Sequence, residues 1–338
     1  MTTSPLEPDT SGPPVDAAGT AASLRVGLHG GRHASDRAFG GLTRSSGALV
    51  LAVLALIAIT MVGRSVDAIR WMGTDFWAWR RWSPPDRYYG ILSFAFGSLY
   101  TAVIALVLAV PISLGIALFI TQIAPTWLRK VMVYVIDLLA VVPSVVVGLW
   151  GLLVLAPNIT GFYGWLSDTF DGWPVLGSIF GENPQGRSFL TAGIVLAIMI
   201  TPIIVSLSRE VIETTPQSEK EAALALGATR WEMIRGSVIP HSKGGLVGAV
   251  MLGLGRAMGE TIAVALTIGS ALGQITLNAL ASGNSMPALI TAEWGEADAL
   301  KKSALIGMAM TLFVITIVVN TTATAIVQRS ERRSRGGV

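Results

Sequence analysis

Six runs of apolar residues, each long enough to cross a bilayer as a helix, leave this 338-residue chain few folds to adopt. A transmembrane helix needs about 20 mostly apolar residues to span roughly 30 Å of hydrocarbon. The runs lie at approximately 45–63, 94–121, 131–156, 188–208, 244–269 and 303–328. Only helices and closed barrels satisfy their own backbone in lipid, and none of these runs alternates as a strand would. The expected fold class is therefore an all-α integral membrane bundle with six transmembrane helices. Charge agrees: 13% of the residues are charged, against about 25% in a soluble domain. Pro111 is expected to kink the second span or end it. The third span carries Asp137 and Pro143, and the fifth carries Arg256 and Glu260.

Residues 1–44 are rich in Pro, Gly, Ser, Thr and Ala without an apolar run, and read as a disordered cytoplasmic tail. Residues 45–328 form the membrane domain, and 329–338 a basic cytoplasmic tail. A secretory signal would put its apolar stretch nearer the start, so the first run reads as a retained anchor. Six spans place both termini on one side. That side carries fifteen Lys and Arg against eight on the other, which predicts cytoplasmic termini. These flanking arginines also account for the basic balance, 24 Lys and Arg against 21 Asp and Glu, so lipid is the expected partner and nucleic acid is not. Trp71, Trp77, Trp79 and Trp82 in the first outer loop suit an interfacial belt. With no cysteine and only His29, His33 and His241, neither a metal site nor a cofactor is expected. No catalytic residues are assigned, which argues against a membrane enzyme.

The connection 209–243 is the most informative segment. Thr215-Pro216 opens a helix, since proline at the first helical position loses no needed N–H. Glu221-Ala222-Ala223-Leu224-Ala225-Leu226 are strong helix formers, and Gly227 takes the left-handed conformation that ends a helix. Thr229-x-x-Glu232 reads as a capping box opening a second short helix, which Pro240 is expected to close. Low alanine relief, a glycine hinge and the charge of Glu221 suit a rigid peg for a cleft on a soluble partner. A plain amphipathic connector lying on the bilayer is the alternative.

Within the fifth span, Arg256 and Glu260 are one helical turn apart. A charge at the bilayer centre costs at least about 2.5–3.5 kcal/mol, so both are expected to face protein or water. Ala249, Gly253, Arg256, Glu260, Ala263 and Thr267 fall on one small or polar stripe, while Val250, Leu254, Met258, Ile262 and Leu266 lie elsewhere. Gly255-x-x-x-Gly259 permits close helix approach. Either Arg256 offsets the charge of a passing anion, with Glu260 holding or releasing it, or the two neutralise each other and only position helices. Asp137 reads as a structural partner for a cation such as Arg256, or as a gating group.

Glu221-Ala222-Ala223, Gly227 and Pro240 resemble the coupling loop of ATP-binding-cassette import permeases, with Ser237 where isoleucine is usual. Residues 253–261, Gly-Leu-Gly-Arg-Ala-Met-Gly-Glu-Thr, resemble the signature of phosphate-specific permeases of the PstC type, within the binding-protein-dependent transport permeases (CysTW-like). Residues 139–146, Gly97-Ser98-Leu99 and 312–320 are similar to the same family, so that the resemblance covers roughly 70–330. It implies a type I importer permease fold in a bacterial plasma membrane. The implied partners are a second homologous permease, two ATP-binding-cassette ATPase subunits docked on the 209–243 loop, and an extracytoplasmic phosphate-binding protein. The chain has no G-x-x-x-x-G-K-[ST] phosphate loop, so ATP hydrolysis is expected in the partner. The family's in-membrane arginine and glutamate map onto Arg256 and Glu260, in the translocation path with Asp137. Permeases for sulfate or molybdate share the loop, and a stand-alone secondary transporter or channel shares the six spans. Both stay open on sequence alone.

Overall fold

The computed structural model describes residues 32–181 and 184–335, with side chains for 38–181 and 184–325. The chain divides into two compact units, Met1–Thr60 and Met61–Val338. In the first, helix α1 (Arg32–Met72) begins well before the expected span. Residues 32–44 are thus helical, contrary to the disordered reading, and the rest of that tail lies outside the described residues. Leu49, Leu51, Leu56 and Ile59 are all exposed, as a lipid-facing surface requires.

The second unit continues with a short helix α2 (Asp75–Ala78) and a two-stranded antiparallel hairpin, β1 (Trp82–Ser83) and β2 (Tyr88–Tyr89), paired Trp82 to Tyr89. An Arg81–Asp86 ion pair closes the hairpin turn, where Arg87 adopts φ 58°. Trp71, Trp77 and Trp79 are exposed, as a belt demands, but Trp82 is buried and donates to Glu293 Oε2 at 2.8 Å.

Helix α3 (Leu92–Leu118) runs unbroken through Pro111 into a wider π turn at Phe119–Ile123, so that proline neither ends the span nor marks its limit. Next come α4 (Thr126–Val141), α5 (Ser144–Trp150) with a π turn Gly151–Leu155, α6 (Ala156–Phe170) and α7 (Leu176–Ile179). The expected third span, 131–156, is therefore divided. Val142 and Pro143 are extended, at ψ 125° and 137°, because a residue preceding proline is pushed out of the α region. The uninterrupted apolar helix is instead 144–170.

The remaining helices are α8 (Phe189–Glu213), α9 (Gln217–Ala225), α10 (Arg230–Met233), α11 (Ile239–Gly259), α12 (Ile262–Thr267), α13 (Met286–Glu293) and α14 (Ala299–Arg335). Residues 329–335 of the predicted basic tail continue α14, and 336–338 lie outside the described residues. Among the described residues, five helices are long and apolar enough to span a membrane. The fifth expected span, 244–269, is divided between α11 and α12.

The core is built from small residues. Ala102, Ala105 and Ala109 of α3 pack on Ala192, Leu196 and Ile200 of α8, and Ala249, Leu254, Ala257 and Met258 of α11 join them. Lipid offers no hydrophobic gain for helix pairing, so close approach of small residues must supply dispersion contact. Gly97 is among the tightest cases: a Cβ there would overlap the carbonyl oxygen of Asn284. Gly148 of α5 plays the same part against Ala263 of α12. Gly97→Val is expected to cost roughly 1–3 kcal/mol or more by overpacking. A thermal melt of the purified chain should show it, and an unchanged midpoint would contradict the packing described.

Candidate functional site

Two discontinuities meet inside the membrane domain. One is the Val142–Pro143 break. The other follows Gly259, where Glu260 is extended (φ −70°, ψ 129°) and Thr261 turns the chain into α12. Gly148 brings the segments beyond the two breaks together at Ala263. Irregular backbone at membrane depth persists only where protein or water faces it.

Arg256 lies on the last turn of α11, about 20 Å along the helix from Lys243. It borders a cavity of about 60 Å³ with Leu139, Ala140 and Val142 of the first break, Val147 of α5, and Ile198 and Met199 of α8. Its side chain is exposed on this chain, and it makes no ion pair or hydrogen bond among the described residues.

Glu260 does not share that face. Because the helix stops at Gly259, the carboxylate turns toward a separate crevice of about 10 Å³ lined by Ser98, Thr101, Ser285 and Pro287. That volume suits at most a single water. The Arg256–Glu260 pair is therefore absent, and the single-stripe reading fails. Ala249, Gly253, Leu254, Ala257 and Met258 all turn inward, while Leu252, Arg256 and Gly259 turn outward. Of the two glycines in Gly255-x-x-x-Gly259, only Gly255 meets another helix, near Asn320 of α14.

Asp137 sits exposed on α4 and forms no ion pair with Arg256 or any other described cation. The partnership expected for it is not made within the chain, because the helix bearing it presents Leu139 and Ala140 to the Arg256 cavity instead.

Sequence reasoning did not find Thr101, Ser285 or Arg187. The Arg187 guanidinium donates to the carbonyls of Leu266 (3.1 Å) and Ala265 (3.4 Å), tying the end of α12 to the start of α8. Ser98 accepts the N–H of Met286 at 2.9 Å. Its place in the Gly97-Ser98-Leu99 motif was the available signal.

The second site is the hairpin α9–α10. Pro216 immediately precedes α9, and Thr215 is buried against Ser242 at 3.2 Å. Gly227 has φ 86°, and the Ala228 N–H reaches back to the Ala223 carbonyl at 3.2 Å, so the glycine terminates α9 as expected. Glu221, Ala222, Leu224, Ala225 and Gly227 are exposed and Leu226 is 90% exposed, with Ala223 turned toward the bundle. Trp231 is also exposed.

The capping box at Thr229 and Glu232 forms in full: Thr229 N–H and Oγ1 both donate to Glu232 Oε2 at 2.8 Å, and Glu232 N–H donates to Thr229 Oγ1 at 3.3 Å. Pro240, however, does not close the second helix. A π turn at Ile234–Val238 carries the chain from α10 straight into α11, with Pro240 in its first turn. Wider π spacing accommodates a residue that lacks an N–H donor and crowds the preceding turn.

The chain matches the description "binding-protein-dependent transport system inner membrane component" over residues 109–336. A phosphate transport system permease protein PstC from Xylella fastidiosa is 40% identical over 287 residues, covering 85% of this chain and 88% of that protein. Its counterpart in Haemophilus influenzae is 42% identical over 80% of this chain and 86% of its own length. A PstC 2 protein of Mycobacterium tuberculosis is 38% identical, over 86% and 91%. Among solved structures, a bacterial alginate ABC transporter in complex with its pentasaccharide-bound periplasmic protein gives a TM-score of 0.56 at 16% identity, over 89% of this chain and 98% of that one. The inward-facing MetNI methionine ABC transporter gives 0.51 at 14% identity, over 73% and 99%. These likenesses carry the fold.

The Thr229 N–H and then its hydroxyl hold the Glu232 carboxyl below the ordinary carboxylate value. The box is thus complete above that ordinary value and is lost as pH falls through the depressed one. Carbon NMR of Glu232 should report the low titration point, and Thr229→Ala should raise it toward normal; an unaltered titration would show the box absent in solution. A helix-length apolar framework, two breaks beside an intramembrane arginine, an exposed glycine-hinged hairpin and extensive similarity together make this chain a multi-pass plasma-membrane protein that belongs to the binding-protein-dependent transport system inner membrane components.

Proposed function

We propose that the chain is the membrane-spanning permease subunit of an ATP-driven importer of inorganic phosphate. The observation that carries this reading is Arg256: a cation inside the membrane domain, exposed on this chain and unpaired among the described residues, beside two broken helices. Such a charge is stable only against water or a second protein. A translocation path between this subunit and a second, homologous permease supplies both, and the arginine then offsets the charge of an anion in transit. The names of the relatives supply phosphate as that anion. Glu260 and Asp137 act along the same path, Glu260 through the hydroxyl-lined crevice and Asp137 from the exposed face of α4.

The hairpin is the coupling element. Its exposed apolar residues, with Glu221 at one edge, fit a cleft on an ATP-binding-cassette ATPase, two copies of which drive the assembly. ATP binding closes the ATPase pair, moves α9 and α10, and reorients α11, to which α10 is continuous through Pro240. Hydrolysis belongs to those subunits. An extracytoplasmic phosphate-binding protein delivers the ion to the opposite side, and the termini lie with the hairpin in the cytoplasm.

Labelled phosphate uptake by cells dependent on this chain, with sulfate as competitor, tests the assignment. Phosphate uptake should require the chain and resist sulfate; equal loss in the presence of sulfate would make it a general oxyanion permease. Arg256→Gln should lower uptake at least tenfold with the subunit still assembled, and full uptake would remove the arginine from the path. Gly227→Val, which forces a branched side chain into a left-handed conformation at a cost of roughly 1–2 kcal/mol, should weaken ATPase co-purification while leaving the membrane bundle folded. Undiminished capture of the ATPase would count against the hairpin as the docking element.

A further inference from the structure

On the hairpin side of the bundle, a recess of about 460 Å³ opens between the first turns of α4 and the last turn of α8. Arg129, Lys130, Val133 and Tyr134 line it from α4, and Arg209 and Glu213 from α8. Three cations thus face one carboxylate, and that carboxylate is already engaged. Glu213 Oε1 accepts from Arg129 Nη2 at 3.1 Å, while the same nitrogen donates to the Thr121 carbonyl at 3.3 Å. Arg129 is held in place by these two bonds.

Lys130 and Arg209 have no such compensation. Neither makes an ion pair or a hydrogen bond among the described residues. Lys130 is exposed. The Arg209 Nε is fully buried and meets no acceptor. Buried guanidinium donors are rarely left unmade, because the lost hydration is not returned. An anion in the recess offsets the mutual repulsion of the cations.

We propose that this recess binds a phosphate-group anion, with Arg209 and Lys130 as its ligands and Arg129 as a fixed flank. The guanidinium fork matches two phosphate oxygens at once, and the lysine ammonium adds a point charge. The walls fit a phosphate that carries a hydrocarbon tail. Val133 and Tyr134, the latter 71% exposed, provide an apolar and aromatic side, and Trp127 is 68% exposed on the same helix. Aromatic rings of this kind mark headgroup depth, and basic recesses between spans at that depth hold anionic lipid headgroups. The same ligands also suit free inorganic phosphate on the hairpin side. This site is separate from the Arg256 cavity, and its existence does not depend on what the chain transports.

The full-length chain, purified in neutral detergent, provides the test in two arms. In the first, native mass spectrometry compares retention of phosphatidylglycerol with phosphatidylcholine. In the second, calorimetry measures binding of inorganic phosphate. Parent protein is compared with Lys130→Gln and Arg209→Gln at equal helical content, and the exposed position of Lys130 makes its variant informative even where the Arg209 change disturbs folding. Preferential retention of phosphatidylglycerol that falls about tenfold in the variants supports the site and makes its occupant a lipid. A tenfold fall confined to inorganic phosphate supports the site with the free anion as occupant. Variants indistinguishable from the parent in both arms would overturn the proposal.

Discussion

Hydrocarbon cannot accept or donate a hydrogen bond, and the structure is organised by that refusal. Where a helix runs whole, as in α3 or α8, its backbone is satisfied internally and its outer face is free to be greasy. Where a helix stops, at Val142–Pro143 and at Glu260, the freed groups need protein or water, and the chain gathers both interruptions into one place. Gly148 against Ala263 allows the gathering, since any larger residue would hold the two segments apart. Arg256 of α11, without an ion pair among the described residues, lies at that junction. Discontinuity, small-residue packing and an intramembrane charge are thus a single arrangement with one physical cause.

The crossing pattern was legible because apolar length is nearly all that lipid demands. The hairpin was legible for a different reason: Gly227, Thr229 and Glu232 act through local geometry, which spacing alone reports. What escaped was phase. Reading 244–269 as one straight helix put Glu260 above Arg256, whereas a single extended residue sends the carboxylate to Ser98 and Ser285. The signal for that break is slight: Gly259 stands before Glu260, but neither proline nor a turn pair lies beside it. Pro143 did mark the other one, but its effect on the third span was underestimated. Pro111, expected to kink or end its span, does not end it, and Pro240, expected to close a helix, instead lies in the first turn of one behind a π turn. Arg187, Thr101 and Ser285 come from segments remote in sequence, so only the assembled bundle brings them to the breaks.

The small-residue seams also divide labour within the bundle. Ala102, Ala105 and Ala109 fix α3 to α8, and Gly245 and Gly253 fix α11 to Val211 and Ile204 of α8. The outer faces of α4, α5 and the π turn after it lack any such seam: Leu138, Val141, Val146 and Leu153 remain uncovered. One half of the domain is therefore a tightly keyed block, and the other presents a smooth apolar surface.

The π turn at Ile234–Val238 has a rotational consequence. An α-helix advances about 100° per residue, and a π turn inserts one residue beyond the regular count. Every side chain from Ile239 to Gly259 is accordingly set at an azimuth that an ideal helix begun at Thr229 would not give. The angular heading of Arg256 is thus written partly in a five-residue widening some twenty positions upstream, and a change of helical winding there would turn the cation together with the Ala249, Gly253 and Ala257 seam of the same helix.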